Sequence, residues 1–460
     1  MNNWKDTYKN CEALLNEKKD THLDALFTLL RQPSISTLNI GIKECADLLL
    51  NLMADCGIDA RLMETGGHPV VYGEYTHPEN TRTILFYGHY DVQPADPLEL
   101  WHSDPFTPTI RDGKIYGRGT GDNKGQLIAH ILAVKTLLEQ NGSLPVNVKF
   151  LYEGEEEKGS VNLASFVENN KELLKADIAY TADGPMEADG QPTVTLGNRG
   201  LLYAEINAHG ADRDNHSGNK GNIAPDPAMA LINLIRSMVD SEGNVLIDGF
   251  YDGLVPPTSE ELDYLRSIPF DPAKTAKVIG LKSLEMTNEE YYTNLCFRPT
   301  FTIAGFESGY TGEGTKTIIP GKAKLKLDMR LAPSQDPDVL FEAVKKHVDA
   351  FDSRCEITIE KLSGVKPSKT PLTHPLVQQI IESVEVAYDK APIVLPALGG
   401  TGPMFVFTDI LNIPSVTVPY ANVDEDNHSP NENMGLKEFY WGIQASCSTI
   451  LNLGQSEHFK

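Results

Sequence analysis

The chain has 460 residues, enough for two or three domains, and its 40% hydrophobic and 23% charged residues are typical of a globular protein. A formal net charge of −24 disfavours binding to the phosphate backbone of nucleic acids. Six scattered cysteines without a C-x-x-C pair argue against thiolate zinc fingers and secreted disulfide frameworks. No apolar run reaches the roughly 18 residues of a membrane span, and the polar first residues predict no signal peptide, so we expect a cytoplasmic protein that binds no membrane.

The part of the chain before Gly200 alternates helical and strand patterns. Helices are predicted at about 23–30, 45–53 and 124–139, and strands at about 83–87, 146–152 and 176–182. Pro33 ends the first of these helices and Gly57 follows the second. Strands that alternate with helices of this length predict an α/β domain, in which a mixed or largely parallel sheet is covered by helices on both faces.

The pattern changes near Gly200, where a smaller α+β domain is predicted to begin. Its predicted elements are strands at 201–210, 322–331 and 355–362 and a helix at 227–238. After Pro371 the α/β pattern returns, with a helix at about 376–388 and a strand at 415–418. We therefore expect one α/β domain in two parts, residues 1–199 and 369–460, with an inserted α+β domain at residues 200–368.

Two side chains that suit metal chemistry follow the predicted strand at 83–87, at the end where α/β sheets place ligands. His89 and Asp91 are two residues apart, so in an extended segment both project to the same face. An imidazole binds a metal through one ring nitrogen, and a nearby carboxylate fixes that ring or a water by a hydrogen bond. Taken alone, the pair is equally typical of a capped strand end with a hydrogen-bonded histidine.

A glycine-rich segment, residues 116–125, opens the next predicted helix. It does not fit the phosphate-loop pattern G-x-x-x-x-G-K-[ST], because Asn123 stands before Lys124 and Gly125 after it. Two roles are open for Asp122 in this segment. It could cap the helix, or its two carboxylate oxygens could hold two cations.

An acidic run follows the predicted strand at 146–152. Residues 153–157 include four glutamates, which repel one another unless a cation lies among them; a solvated acidic turn is the alternative. Asp183 follows the next predicted strand, and His428 lies in a polar loop near the end of the chain. Taken singly, these last two residues are more typical of solvated loops than of ligands.

Together, these segments bring two histidines and at least three carboxylates to strand ends or loops of one α/β domain. Imidazole and carboxylate without thiolate suit zinc, manganese or cobalt rather than an iron–sulfur centre. Two metals that share a bridging carboxylate can position and activate one water.

With these residues the chain resembles the co-catalytic metallopeptidase family that includes carnosinase, aminoacylase, glutamate carboxypeptidases and succinyl-diaminopimelate desuccinylase, and most closely its carnosinase-like dipeptidase branch. The motifs occur in the family's order: His-x-Asp at 89–91, W-x-x-x-P-F and D-G-x-x-Y-G-R-G within 101–119, Asp122, E-G-x-E-E-x-G-S at 153–160, and a late histidine. The resemblance extends over nearly the whole chain. It implies a split catalytic α/β domain with an inserted lid domain, which also forms homodimers.

The resemblance also implies a role for each site residue. It implies two divalent metal ions, zinc by preference with manganese or cobalt as alternatives, bound by His89 and Asp183 at one position, by Glu157 and His428 at the other, and bridged by Asp122. Glu156 would be the general base, and Asp91 would orient the first histidine. The acidic run leaves a register ambiguity between Glu155 and Glu156, and alignment of the Gly-Ser that follows favours Glu156.

In the inserted domain, the resemblance implies that His216 reaches the site of a partner subunit and polarises the scissile carbonyl. Arg330 would bind the substrate carboxylate, a task that suits a bidentate guanidinium. Gly399, Gly400 and Thr401 match a Gly-Gly-Ser turn near that carboxylate, with threonine in place of serine. A surface arginine and a turn threonine are the alternative interpretations of these positions.

These roles predict attack of water on the amide carbonyl of dipeptides or related small peptides with a free carboxylate, with Glu156 carrying the proton to the leaving amine. One alternative keeps the site and hydrolyses N-acyl amino acids, as a deacylase or desuccinylase. A second is a catalytically silent homologue that binds peptide or metal. The presence of the base Glu156 argues against it, because a silent protein need not keep this residue. A third, a serine or cysteine hydrolase, lacks support because no G-x-S-x-G elbow occurs.

Overall fold

The computed structural model describes residues 4–187 and 190–455. These residues form two compact units, the first drawn from 4–187, 190–197, 369–396 and 403–455 and the second from 198–368 and 397–402. The sequence predicted domain boundaries at 199/200 and 368/369. It did not predict that the short segment 397–402 would group with the second unit.

The helices before residue 198 are α1 (Trp4–Glu17), α2 (Lys19–Arg31), α3 (Ile42–Asp55), α4 (Lys124–Asn141), α5 (Leu163–Asn169) and α6 (Lys171–Leu174). The strands that begin there are β1 (Asp59–Met63), β2 (Val70–Tyr75), β3 (Thr83–His89), β4 (Thr109–Arg111), β5 (Lys114–Tyr116), β6 (Asn147–Glu153), β7 (Ile178–Thr181), β8 (Thr193–Thr195) and β9 (Gly197–Asn198).

The second unit contains the strands β10 (Gly200–His209), β11 (Asn215–His216), β12 (Thr302–Ser308), β13 (Ile318–Ile319), β14 (Lys322–Leu331) and β15 (Glu356–Val365). Its helices are α7 (Ser217–Lys220), α8 (Pro227–Met238), α9 (Ser259–Ser267), α10 (Pro272–Ile279), α11 (Asn288–Phe297) and α12 (Pro337–Asp349). The chain continues with β16 (Ser368–Lys369), α13 (Pro375–Tyr388), β17 (Ile393–Leu395), β18 (Ser415–Thr417), β19 (Asn433–Gly435) and α14 (Leu436–Leu453).

The first unit is built on an eight-stranded mixed sheet in the order β1-β2-β6-β3-β7-β18-β8-β17. The central strands β6, β3, β7 and β18 run parallel to one another, whereas β1 and β2 form an antiparallel pair at one side. β3 is buried along nearly its whole length, as expected for a strand that is covered on both faces. The predicted α/β class and mixed sheet are confirmed.

Apolar side chains of β3 point alternately to two layers of helices. On one face, Leu85 and Tyr87 belong to a buried cluster with Phe166 of α5. On the other face, Phe86 stacks on His130 of α4, with 4.5 Å between the ring centroids. The sheet is therefore covered on both faces, as predicted.

The second unit contains a four-stranded antiparallel sheet in the order β12-β14-β10-β15. Alternate residues of β10 and β14 are buried, and these residues share a core with α8 and α12. The other face of β14 is polar. This confirms the predicted α+β insertion, although the sequence pattern did not predict the helices α9, α10, α11 and α12.

Two further predictions concern the chain as a whole. All six cysteines are buried and free of disulfides in the structure. No helix in the described part of the chain is long and apolar enough to cross a bilayer.

Candidate metal centre

The predicted site residues of the first unit come together at one edge of its sheet. β3 ends at His89, β6 ends at Glu153, and Asp183 follows the end of β7. These three strands are parallel neighbours, so their carboxyl ends meet where α/β sheets place ligands. The start of α4 brings Asp122 to the same edge, and the loop between β18 and β19 brings His428.

His89 is held by Asp91 on one side and faces Asp122 on the other. Its Nδ1 lies 3.0 Å from the backbone oxygen of Asp91 and 3.5 Å from Oδ1 of that residue. Its Nε2 lies 3.0 Å from Oδ1 of Asp122, yet this buried nitrogen makes no well-aligned hydrogen bond to any residue that the structure describes. A histidine that donates through Nδ1 presents the lone pair of Nε2, which is the form that binds a metal.

Asp91 connects this histidine to the acidic turn after β6. The carboxylate of Asp91 is fully buried and accepts the backbone N–H of Glu156 at 3.2 Å and of Glu157 at 3.1 Å. Asp91 therefore holds His89 through its backbone oxygen, and through its side chain it holds the 3₁₀ turn that starts at Glu156.

Asp122 lies between the two histidines. Its Oδ1 is 3.0 Å from Nε2 of His89, and its Oδ2 is 2.9 Å from Nε2 of His428. The N-cap of α4 is Asn123, so capping that helix is not the role of Asp122. A carboxylate whose two oxygens face two different imidazoles has the arrangement of a bridging ligand.

Glu157 approaches His428 from the other side. Its Oε2 lies 3.2 Å from Nε2 of His428. Gln93 holds this carboxylate, since its backbone N–H and its Nε2 donate to the two oxygens at 3.1 and 2.9 Å. The side chain of His428 is 54% exposed, whereas that of His89 is 1% exposed, so the two histidines differ in access to solvent.

Two overlapping groups of potential metal ligands result, and the members of each group have ligand atoms within 4.8 Å of one another: His89, Asp122 and Asp183 in the first, and Asp122, Glu157 and His428 in the second. Asp122 is the residue that the two groups share. Oδ2 of Asp183 lies 3.9 Å from Nε2 of His89, farther than Asp122.

The two glutamates that left the register ambiguous differ in their contacts. Asn162 donates to Oε2 of Glu155 at 2.6 Å, and Nζ of Lys158 lies 3.6 Å from Oε1 of Glu155. Burial raises the pKa of Glu156 well above its ordinary value; the charge of His89 opposes this rise and neighbouring carboxylates add to it. Glu155 is thus tied to its own turn, while Glu156 lies among the potential ligands.

Arg330 and the segment 397–402 belong to the second unit. Nε and Nη2 of Arg330 lie 3.1 and 3.4 Å from the two carboxylate oxygens of Asp328, and Nη1 donates to Oγ1 of Thr401 at 2.9 Å. Gly399 and Gly400 precede this threonine in the same segment. Arg330 is therefore oriented by two partners, which leaves the Nη1 edge of its guanidinium beside Thr401.

His216 also lies in the second unit, where it caps the short helix α7. Its Nδ1 accepts the backbone N–H of Gly218 at 3.1 Å, and the residue is exposed. A ring nitrogen that accepts carries no proton, so the neutral ring carries its proton on Nε2. The exposed imidazole can therefore act as a hydrogen-bond donor.

Comparison with known proteins identifies the family. A family profile described as "Peptidase family M20/M25/M40" matches residues 85–452. The chain belongs to this family. The β-Ala-His dipeptidase of Rattus norvegicus is 33% identical over 395 residues, which cover 84% of this chain and 80% of that protein.

Solved structures agree in both fold and family. The M20 family metallo-carboxypeptidase Sso-CP2 from Sulfolobus solfataricus is 39% identical, with a TM-score of 0.86 over 94% of this chain and 99% of that one. The dipeptidase Dug1p from Saccharomyces cerevisiae is 25% identical, with a TM-score of 0.82 over 98% and 99% of the two chains. The chain is therefore a metallopeptidase of the M20 family, with relatives that are dipeptidases.

The electrostatics of the site fit a cation in this M20 metallopeptidase. Burial, and then the charge of Asp122, raise the pKa of Asp183 to about 6. Hydrogen bonds to Asp122 and Glu157 raise the pKa of His428 to about 10, against the effect of burial. Both groups therefore keep a proton to a higher pH than usual, and a divalent cation bound among these side chains can take the place of such protons.

Two buried glutamates beside the candidate metal centre were not predicted from the sequence. Glu425 is 2% exposed, and neither carboxylate oxygen has a hydrogen-bond partner among the described residues. Gly121 makes room for it, since a Cβ there would lie 2.2 Å from Oε2 of Glu425. Glu432 is fully buried and pairs with Arg118 at 2.8 Å. The one sequence signal for either glutamate is its closeness to His428 in a polar loop.

Proposed function

We propose that this chain hydrolyses the amide bond of dipeptides, or of closely related small peptides, that end in a free carboxylate. The observation that carries the proposal is the position of Asp122, whose two oxygens lie 3.0 and 2.9 Å from Nε2 of His89 and His428. A carboxylate shared in this way suits two divalent ions that act on one water. Relatives named as β-Ala-His and Cys-Gly dipeptidases support dipeptides as the substrate class.

The proposed ligands are His89 and Asp183 for one ion, Glu157 and His428 for the other, and Asp122 for both. When bound, the two ions would lower the pKa of the attacking water and polarise the scissile carbonyl. Zinc is the preferred metal, with manganese or cobalt as alternatives, because the ligands are imidazoles and carboxylates. One ligand of each ion is held in place by a neighbour: Asp91 holds His89, and Gln93 holds Glu157.

Glu156 is the proposed general base. The contacts of Glu155 with Asn162 and Lys158 favour Glu156 over its neighbour. A carboxyl group whose pKa is raised by burial holds a proton more readily near neutral pH than an ordinary glutamate. As the new C–O bond forms, Glu156 takes a proton from the water, and it gives that proton to the amine nitrogen as the C–N bond breaks.

Arg330 and His216 are the proposed substrate contacts in the second unit. Asp328 takes the Nε side of the Arg330 guanidinium, so the edge beside Thr401 can bind the substrate carboxylate. In the same segment, Gly399 and Gly400 would let the backbone approach that group. Nε2–H of His216 suits donation to the carbonyl oxygen as negative charge develops on it.

A homodimer through the second unit is part of the proposal, because His216 would act on the substrate of a partner subunit. β12 is an edge strand, and its Ile303 and Phe306 are 46% and 43% exposed. On α8, Met229 and Ile232 are exposed as well. An open strand edge next to apolar side chains is a surface that a second copy can cover. Analytical ultracentrifugation tests this directly, since a monomer at micromolar concentration would contradict it.

A carboxypeptidase that acts on longer peptides is a second candidate, because Sso-CP2 is 39% identical to this chain. Both activities require a free carboxylate, so Arg330 does not distinguish between them. Hydrolysis of N-acyl amino acids is a further alternative that uses the same residues.

The experiment compares kcat/KM for Ala-Ala, for a tetra-alanine peptide and for N-acetyl-alanine, each with added zinc, manganese or cobalt. The proposal expects the dipeptide to be hydrolysed most efficiently. A faster tetrapeptide would favour the carboxypeptidase, and a faster N-acetyl substrate would favour the deacylase. Failure to hydrolyse any of them with the metal sites filled would contradict an amidohydrolase and favour a silent binding protein.

A further inference from the structure

A buried carboxylate that the proposed mechanism does not use holds the segment that carries Asp122. The Glu432 carboxylate accepts the backbone N–H groups of Gly119, Gly121 and Asp122, all at 3.0 to 3.1 Å. Nη1 of Arg118 donates to the same carboxylate at 2.8 Å. Three backbone donors and a guanidinium on one carboxylate fix the course of this segment.

Glu432 also belongs to the loop that carries His428. Its backbone oxygen accepts the N–H of Gly117 at 3.0 Å, and β19, which follows it, pairs antiparallel with β5. The residue therefore joins the segment that supplies Asp122 to the loop that supplies His428. Oδ2 of Asp122 and Nε2 of His428 are 2.9 Å apart.

The Arg118–Glu432 ion pair is protected from water, since the two side chains are 1% and 0% exposed. Arg118 is itself fixed, because its Nη2 donates to the oxygen of Pro94 at 3.0 Å and its guanidinium lies 5.4 Å from the ring centroid of Trp101. Removing one partner of such a buried pair leaves the other charge uncompensated. The segment with Asp122 is thus held to a rigid anchor rather than to a flexible surface contact.

We propose that Glu432, fixed by Arg118, is a positioning residue of the metal centre, which keeps Asp122 and His428 at the separation at which both bind metal. This inference rests on the metal centre of the proposed function. Glu432 acts through the backbone of Asp122 and through its own loop, so it influences metal binding without being a ligand. Loss of a group that orients metal ligands typically lowers metal affinity or activity by roughly tenfold to a hundredfold.

The test is the substitution Glu432→Gln, which keeps the size of the side chain but removes its charge and turns an amide N–H towards the backbone donors. We expect the variant to bind at least one of the two ions roughly tenfold to a hundredfold more weakly in competition with a chromophoric chelator. The absorption spectrum of the cobalt-loaded protein should change. We also expect kcat to fall while KM stays nearly constant, because the substrate carboxylate binds elsewhere.

Gln379→Ala is the matched control. Gln379 lies on α13, is also buried, and accepts a hydrogen bond from Nη1 of Arg82 at 2.8 Å. Its loss should lower the melting temperature of the metal-free protein without changing metal affinity. If Glu432→Gln does not fold, Arg118→Lys tests the same ion pair, since lysine keeps the charge but lacks the planar guanidinium.

Unchanged metal affinity and an unchanged cobalt spectrum in folded Glu432→Gln, or in Arg118→Lys if that variant has to replace it, would overturn the positioning role. An equal loss of affinity in Gln379→Ala would overturn it too, because general destabilisation would then account for the effect. A wild-type protein that does not bind two ions would instead overturn the proposed metal centre, and this inference with it.

Discussion

The candidate metal centre of the first unit and the proposed substrate contacts of the second unit differ in how deeply their key side chains are buried. At the metal centre, His89 and Asp91 are buried at the end of a central strand, and Asp91 is held by two backbone N–H groups. In the second unit, Arg330 lies on the polar face of a sheet with 31% of its side chain exposed, and His216 is exposed. His89 and Asp91 are thus held inside the protein, while Arg330 and His216, like the proposed ligand His428 at 54% exposure, stay accessible to solvent. Substitutions in the two regions should therefore have different effects.

The largest effect is expected for Asp122→Ala in the first unit. Two like cations need a shared anion between them, so bound metal should fall from about two ions per chain and turnover should fall below detection. Elemental analysis of the purified variant measures this. Asp424→Ala is the control, because Asp424 lies in the loop of His428 but pairs with Lys114. Full metal occupancy in Asp122→Ala would refute the bridging role.

Glu156→Gln should separate chemistry from metal binding. Because the variant keeps the shape of the side chain but loses the base, we expect turnover to fall by ~10²–10⁴-fold while metal content persists. Glu155→Gln, assayed in parallel, should have a much smaller effect, since Glu155 is bound by Asn162 and Lys158. If the larger loss occurred in Glu155→Gln, the register of the acidic run would have to be reassigned.

His216→Ala tests whether an exposed residue of the second unit takes part in the chemistry. Loss of a donor to charge that develops in the transition state typically lowers turnover by ~10²–10³-fold, and metal content should not change. His374→Ala is the matched control, because Nδ1 of His374 also caps a helix, at 3.3 Å from the N–H of Leu376. Equal, small effects of the two variants would mean that His216 is only a helix cap.

The same variant also tests the homodimer. Mixed dimers of His216→Ala and Glu156→Gln chains would contain one site with both defects and one site with neither, provided that the histidine acts across the interface. Partial recovery of activity after mixing is the expected result. No recovery, with subunit exchange confirmed, would mean that His216 acts within its own chain or not at all.

Arg330→Met should have the smallest effect and should alter binding rather than chemistry. A hydrogen bond to a charged group contributes about 1.5–3 kcal/mol, so KM for free-carboxylate dipeptides should rise about tenfold or more with kcat nearly unchanged. Lys326→Met, on the same face of β14, serves as the control. An equal rise in KM for both variants would point to general loss of positive charge rather than to a carboxylate contact.

Most of the fold could be predicted because its central elements have strong periodic patterns. The buried strand β3 and the alternating strands β10 and β14 occur where the sequence predicted them. The helices α9 and α11 were missed although each starts with a capping box, Thr258 with Glu261 and Thr287 with Glu290. That signal was in the sequence, but the short helices lack a long apolar stripe.

Only those site residues that belong to recognisable sequence motifs could be predicted. His89 and Asp91 stand out because they directly follow a buried strand. Glu432 does not stand out, because nothing in the local sequence distinguishes a buried glutamate from a solvated one in a polar loop. Its burial depends on Arg118, which is far away in the chain, and such a long-range pairing has no local signal. The grouping of residues 397–402 with the second unit was missed for the same reason.

The most direct test of the central claim is a metal titration of the chelator-treated protein. Bound zinc or manganese and the rate of dipeptide hydrolysis are measured on the same samples as metal is added back. A two-metal centre predicts that the metal-free protein is inactive and that full activity returns only as about two ions per chain are bound. Full turnover by the metal-free protein, or full turnover with a single ion bound, would contradict it.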